Sequence, residues 1–507
     1  MVHKIKYIGV DFGSSNTEIA GVDAEGNVFV IPYDNYNEGF DSVMSIDHLT
    51  NEKLFFREAK KNAKKTDDYL DRLKEELLGE CEEDSINHVK EFFEQVAARI
   101  RSNRSGSSFR RDSDTFDFSE IESICFGHPA YYTPHIQDRY CEQMMDILSK
   151  TFGVKKRNIS ALPEPVLAGT AYQYITKPAA IQDGDVILVL DFGGHTMDLV
   201  LLQAKDMKNA KGETRRNLVQ YAIPGSFYEC VLMGKDITQK MCRYIYQSNL
   251  APFDNNVEET KCKFFELYEK NGDQAVISAQ LSYTGSGNRQ KFQIMSKSVL
   301  EENESGDTVY IGVFKGPICI SLNNTISQIV EVVSGYLANA DIENLQIRHV
   351  LYTGGTSRIK VLRENVSEGL RSRWTSEQEF SEFVMDKKRS ATGEVAVAYS
   401  AEKKHLSSAN AVAVGAALAA AGLVCCGESS MDYQKPKRAT DAEVLKLQGE
   451  KELLAKQVER MKKRNHVERV ARRRSEMKLE KVRETAKGTP KLYEEIERII
   501  QTVDAKK

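Results

Sequence analysis

The chain has 507 residues, 41% apolar and 28% charged, with a net charge of −4. That length carries a large core and more than one domain, and the composition excludes fibrous and wholly disordered classes. The charge is uneven: residues 431–507 hold 22 basic and 14 acidic side chains, a net +8 that leaves −12 on the rest. An acidic body with a basic tail points to separate tasks for the two parts.

Nine cysteines, an odd count with no CxxC pair and no His/Cys ligand spacing, read as reduced thiols. The adjacent Cys425 and Cys426 read as the end of a buried helix. The opening MVHKIKYIGVDF runs straight into a strand pattern without the signature of a signal peptide. The most apolar stretch, 409–426, is short and rich in Ala, Gly and Val, which favours a packed helix over a membrane span. A cytoplasmic protein without membrane contact is the expectation.

In chain order, strand patterns at 5–10, 18–22 and 28–32 predict a β-meander. Helices are expected over 58–78 and 85–101, then a polar loop over 102–117. A strand and turn in ICFGHPAYYTP lead to a helix over 136–152, a short strand at 159–162, and a helix over 166–174. A second strand–turn–strand follows at 186–202, then a polar hairpin region at 275–314, a helix at 326–340, a strand at 349–353 and a glycine turn into another helix. The order βββαβα is thus written twice, which implies two related α/β lobes. Residues 425–440 read as a linker, and 441–507 as a charged helical tail broken at GTP, 488–490. Leu492, Ile496, Ile499 and Val503 form one stripe of its last helix.

The two strand–turn–strand segments carry the chemistry. Residues 8–22 read IGVDFGSSNTEIAGV and residues 186–202 read VILVLDFGGHTMDLVLL. Glycine turns offer backbone N–H groups to anions. Gly13, Ser14, Ser15 and Asn16 suit one end of a polyphosphate, and Gly193, Gly194, His195 and Thr196 the other. Asp11, Asp191 and Asp198 are placed to hold Mg²⁺ through its waters, since magnesium keeps several waters beside substrate phosphates. The Asp-Phe-Gly triplet is not the kinase motif, because no HRD loop or strand-borne VAIK lysine accompanies it. Glu164, between two prolines, is either the group that positions an attacking water or an ordinary acid at a helix start. HVLYTGGTSRI, 349–359, either seats a nucleoside with Arg358 over the base or merely caps a helix. Lys261 and Lys263 either approach the ribose or belong to a solvated face.

IGVDFGSSNT, ISALPEPVLAGTAYQY, VLDFGGHTMDLVLL and VLYTGGTSRIKVL, in this order, resemble the actin-like ATPase superfamily. Within it they look most like the nucleotide-binding domain of the seventy-kilodalton heat-shock chaperones, over about residues 5–424. CFGHPAYYTPHIQDR resembles that family's segment before the central glutamate, and EAKKNA followed by DRLKEELLG resembles the segment bearing its catalytic lysine. The resemblance implies a two-lobed actin-like ATPase fold, with lobe I at 1–183 joined by 400–424, and lobe II at 184–399 with a polar subdomain at about 226–314. It implies ATP/ADP and Mg²⁺ as ligands and slow ATP hydrolysis, with nucleotide state setting lobe closure. By it, Asp11 and Asp191 are metal-site acids with Asp198 nearby. Thr196 orients the water or γ-phosphate, Glu164 assists, and Lys74, or Arg72 beside it in the local alignment, is the catalytic lysine. Gly354, Gly355, Thr356 and Arg358 hold the adenosine with Lys261 and Lys263.

The chain departs from the family in four places. His195 stands where a third glycine is usual, and no acid stands near Ala409 and Asn410. Glu259 is the nearest counterpart of the adenosine-contacting glutamate. No run of alternating strands follows residue 424, so the family's peptide-gripping β-sandwich is missing from the pattern. In the tail, RVARRRSEMK is interleaved with Glu459, Glu468, Glu476, Glu480 and Glu484 and nearly lacks aromatics. That favours a solvated helix with i,i+4 pairs, or a helix for a protein partner or self-association, over nucleic-acid binding. The lobe surfaces are the other expected partner site. Two further readings are a nucleotide-gated scaffold with little turnover and an actin-like filament former.

Overall fold

The first hairpin sets the pattern that the rest of the chain repeats. β1 (Val2–Phe12) and β2 (Asn16–Asp23) pair antiparallel, and β3 (Val28–Val30) adds to β2. β4 (Phe40–Asp41), β5 (Met44–Ile46), β6 (Lys53–Phe55), α1 (Phe56–Asn62), β7 (Asp68–Leu70), α2 (Leu73–Leu78), α3 (Glu83–Ser102) and β8 (Thr115–Asp117) follow. Next come β9 (Ser123–His128), α4 (Pro134–Phe152), β10 (Ile159–Pro163) and α5 (Glu164–Ile175). The first sheet has the order β10-β9-β1-β2-β3, with β4 on β2 and β8 on β1; β9 and β10 run parallel to β1.

The computed structural model describes residues 2–31, 39–47, 49–62, 68–79, 83–102, 115–129, 134–175, 181–194, 196–208, 214–221, 225–228, 233–246, 255–271, 276–281, 290–296, 310–314, 317–321, 323–339, 347–373, 381–384 and 410–423. The chain divides into two units, Met1–Ser429 and Ser430–Lys507. The linker 425–440, the tail 441–507, and Cys425 and Cys426 lie outside the described residues, as does His195.

The second half begins with β11 (Val186–Phe192), β12 (Thr196–Lys208) and β13 (Thr214–Gln220), again an antiparallel set. β14 (Gly225–Tyr228), α6 (Gly234–Tyr246) and α7 (Asn255–Asn271) follow, then β15 (Val276–Leu281), β16 (Gln290–Ser296), β17 (Tyr310–Phe314) and β18 (Pro317–Ser321). α8 (Asn323–Asn339), β19 (Ile347–Thr353), a short 3-10 turn (Gly355–Arg358), α9 (Lys360–Arg373), β20 (Ser381–Val384) and α10 (Ala411–Ala420) complete it. Its sheet has the order β13-β12-β11-β19-β20, with β14 on β12, and β19 and β20 run parallel to β11 and to each other. Strand order and direction therefore match the first sheet strand for strand. The duplication also runs further than βββαβα: each half adds one more parallel strand and a final helix, β10 and α5 in the first, β20 and α10 in the second.

Those two final helices lie between the sheets. α10 packs on α5, β1, β2 and β9, and α5 packs on β11 and β12. One apolar cluster joins Ala20, Val22 and Cys125 of the first sheet, Leu167, Ala171, Val412 and Ala416 of the helices, and Ile187, Val189, Val200 and Leu351 of the second sheet. Central strands covered on both faces need apolar side chains on both, and β11 is buried along its whole length. On the outer faces, α3 and α4 cover the first sheet and α6, α8 and α9 the second. The close approach in the middle depends on glycine. A Cβ on Gly9 would strike the α10 backbone at Ala413 and Ala417, and one on Gly415 would strike the carbonyl of Leu167 in α5.

The local expectations are corrected at three points. The helix expected over 58–78 is divided into α1 and α2, because β7 leaves helical geometry to pair with β5 in a small β6-β5-β7 sheet. The loop expected over 102–117 ends in β8, which aligns with the start of β1; its 103–114 portion lies outside the described residues. The polar hairpin region forms a four-stranded antiparallel sheet, β15-β16-β17-β18, that extends past 314. Among the described residues, no helix is long and apolar enough to cross a membrane.

Candidate functional site

The two Asp-Phe-Gly segments build the same turn twice. In the first, Phe12 pairs with Thr17 and the Gly13 N–H donates to Asn16 O at 3.1 Å. In the second, Phe192 pairs with Met197 and the Gly193 N–H donates to Thr196 O at 2.9 Å. Asp11 faces Glu18 across its hairpin as Asp191 faces Asp198 across the other. The phenylalanines are fully buried anchors: Phe12 packs on Phe92 and Phe93, and Phe192 on Tyr352. Each hairpin is braced on its second strand, by β4 beside Asn16 and Thr17 and by β14 beside Thr196 to Leu199.

The two turns face one another closely. A Cβ built on Gly194 would lie 2.6 Å from Ser15 Oγ. Lys235, the second residue of α6, ties them together. Its N–H donates to Gly194 O at 2.8 Å, while its Nζ reaches Ser14 O at 2.8 Å and Asp71 O at 3.4 Å. Asp71 is the first residue of the DRLKEELLG segment that carries Lys74.

A buried charge cluster sits with the turns. Lys74 Nζ meets Glu164 Oε1 at 2.5 Å, with the side chains only 6% and 8% exposed. Arg72 is exposed, so Lys74 is the residue that the fold aims inward. Burial works against the Lys74 ammonium, yet Glu164, Tyr140 and Asp11 hold its pKa above the ordinary lysine value. Burial, with Glu164 and Asp198 adding to it, pushes Asp11 up to about 7 against the pull of Lys74. Burial and the neighbouring Asp198, Glu164 and Asp11 raise Asp191 well above the usual carboxylate range. Four carboxylates, two from each half, thus act on one another with Lys74 as the cation that offsets them. Thr196 Oγ1 donates to Asp198 Oδ2 at 3.0 Å.

This excess of negative charge fits a divalent cation, and glycine turns of the kind beside it can present backbone N–H groups to phosphate. Among the described residues, no group of three or more His, Cys, Asp or Glu side chains converges closely enough to chelate a metal. Asp11, Asp191 and Asp198 fit the role of holding a hydrated ion.

The third glycine turn joins the second. Gly354 has φ +80°, and a Cβ there would run into Asp191 and Phe192, so the turn packs directly against β11. Thr356 Oγ1 donates to Gly193 O at 2.6 Å, and Gly355 is exposed beside it. Arg358 closes the 3-10 turn that follows. Lys261 is buried and donates to Gly234 O at 2.6 Å and Glu258 Oε2 at 2.8 Å. Gly234 lies against Thr356, which brings Lys261 to this turn. Lys263 is not brought in: it is 66% exposed and directed to Glu259 at 4.0 Å.

Sequence reasoning missed three residues of this region. Glu258, not Glu259, is the glutamate turned toward this region: it is half-buried and bonded to Lys261 and Thr238, whereas Glu259 is exposed. The helical spacing of Glu258 to Lys261 was the available signal. Lys235 was announced only by a Gly-Lys pair at a helix start. Tyr140 of α4 is 1% exposed, and burial, against the pull of Lys74, holds its phenol pKa above the ordinary value. Set beside this geometry, no family model matches the chain and no curated protein is significantly similar to it.

Proposed function

We propose that the chain is a two-lobed actin-like ATPase, akin to the nucleotide-binding domain of the seventy-kilodalton heat-shock chaperones, that binds Mg·ATP between its lobes and hydrolyses it slowly. The observation that carries this reading is the pair of like-built glycine turns, one from each half, that face one another, with the buried Lys74–Glu164 pair acting on Asp11 beside them. Two such turns supply backbone donors and hydroxyls to both ends of a triphosphate tail. Phosphoryl transfer asks chiefly for positioning and for neutralisation of charge. Mg²⁺, when bound, offsets the charge on the phosphate oxygens, and Asp11, Asp191 and Asp198 are the groups that hold its waters. Glu164, fixed by Lys74, is the acceptor that orients the attacking water, and Thr196 lies at the same turn as a donor to the terminal phosphate. The turn at Gly354, Gly355 and Thr356, with Lys261 and Glu258 nearby, suits the nucleoside. Domain limits follow as lobe I at 1–183 with 400–424 and lobe II at 184–399. The tail and the lobe surfaces are where a protein partner would sense closure.

Calorimetric titration with ATP and ADP, with and without magnesium, followed by phosphate release, tests the reading. Wild type is expected to bind ATP more tightly with magnesium and to turn over slowly. Asp11→Asn and Thr196→Ala are expected to lose most hydrolysis with modest loss of binding, and purified variants that hydrolyse at the wild-type rate would falsify the assignment. Binding without any turnover in wild type favours the scaffold reading instead.

A further inference from the structure

We infer that Lys235 is a second phosphate-contacting cation of this site beside Lys74, borne by the second half of the molecule. The inference deepens the ATPase reading and rests on it. Three observations carry it. The first is placement: the Lys235 backbone is fixed to Gly194 O at 2.8 Å, and its stem runs past Gly194 to Ser14 O at 2.8 Å and Asp71 O at 3.4 Å. One side chain therefore spans the two turns proposed to hold phosphate and touches the segment leading to Lys74.

The second is the nature of its partners. Lys74 has Glu164, Lys261 has Glu258 and Lys60 has Asp41 as carboxylate partners. Among the described residues, Lys235 Nζ meets only carbonyl oxygens, with no carboxylate within ion-pair distance. The third is its surroundings. Burial lowers its pKa, with Asp71 and Glu75 pulling the other way, so its charge is incompletely compensated where it sits. An ammonium held by neutral acceptors gains by exchanging them for phosphate oxygens, which accept charge-assisted hydrogen bonds. The four-carbon stem makes that exchange without movement of the backbone.

A purely structural strap would have the same contacts in the empty protein, and the choice of ligand separates the two roles. The full-length chain is titrated by calorimetry with ATP, ADP and adenosine in magnesium chloride, as wild type, Lys235→Met and Lys235→Arg. Lys235→Met is expected to weaken ATP by about 10- to 100-fold and ADP by less, and to leave adenosine within about twofold. Lys235→Arg, which keeps the charge, is expected to recover most of the loss. The role is overturned if Lys235→Met binds ATP as wild type does, or if ATP and adenosine weaken in equal proportion. Wild type that binds none of the three ligands would sink the ATPase reading and this inference together. Should Lys235→Met melt early, Lys235→Gln against Lys235→Arg gives the same comparison.

Discussion

At the scale of single residues, the Lys74–Glu164 pair is the most exacting feature of the site. Both side chains are almost out of water, so the charge of each depends on the other. Lys74→Met strands the Glu164 carboxylate among Asp11 and Asp191, and is expected to cost about 3–5 kcal/mol of stability. Adding Glu164→Leu removes the stranded charge and should return most of that loss, a coupling readable from urea unfolding of the two single variants and the double. A double variant whose loss equals the sum of the two single losses would show that the pair is not coupled. The sequence alone left Lys74 and Arg72 as neighbours in a local alignment. The contact that separates them joins residues 90 apart in the chain, and local pattern carries no information about it. Lys235 was hidden for the same reason, since its partner Ser14 lies 221 residues away. Lys263 shows the converse error: its spacing is compatible with a site, and only exposure reveals that it faces solvent.

Elements were more legible than residues. β1, β2, β11 and β12 stand out because a strand, a short glycine turn and a second strand form a local unit whose pairing requires no distant partner. The helix over 58–78 misled because β7 is recruited by β5, a tertiary pairing that overrides the helical character of the charged residues around it. α10 was readable as a packed helix, but not why it contains Gly415. Glycine within a helix costs about 1 kcal/mol relative to alanine, so Gly415→Ala would stabilise an isolated helix. Here the added methyl would meet the Leu167 carbonyl of α5. Overpacking costs about 1–3 kcal/mol, and against backbone the upper part of that range applies. Gly415→Ala is therefore expected to destabilise. Gly335→Ala in α8, where no described residue lies within 4 Å of the added Cβ, is expected to stabilise by about 0.5–1 kcal/mol. Opposite signs of the two shifts in thermal denaturation check the close approach of α5 and α10; a stabilising Gly415→Ala would mean that the helices lie further apart.

At the scale of the whole molecule, two sheets of one topology are set back to back around α5 and α10. Sheets so arranged put corresponding hairpin ends together, so the duplication in the sequence becomes a pair of opposed turns in space. The sequence made the repeat visible but not the apposition, which requires knowing that α5 and α10 form the layer between. Apposition can be tested without assuming any ligand. Ser15 Oγ and the Cβ that Gly194 lacks would be 2.6 Å apart, which is within the reach of a disulfide. Ser15→Cys with Gly194→Cys is expected to form an intramolecular bridge under mild oxidant, seen as two thiols fewer than in the reduced form and reversed by reductant. Either single variant should show no such loss, which controls for the nine native cysteines. If the turns open and close around a nucleotide, the bridged protein should exchange ATP at least about tenfold more slowly than the reduced form, because the closed arrangement no longer has an open partner state to release through. Failure to bridge would contradict the apposition itself, whereas a bridge with unaltered exchange would show that the two turns stay together whether or not nucleotide enters, and would overturn nucleotide-gated closure.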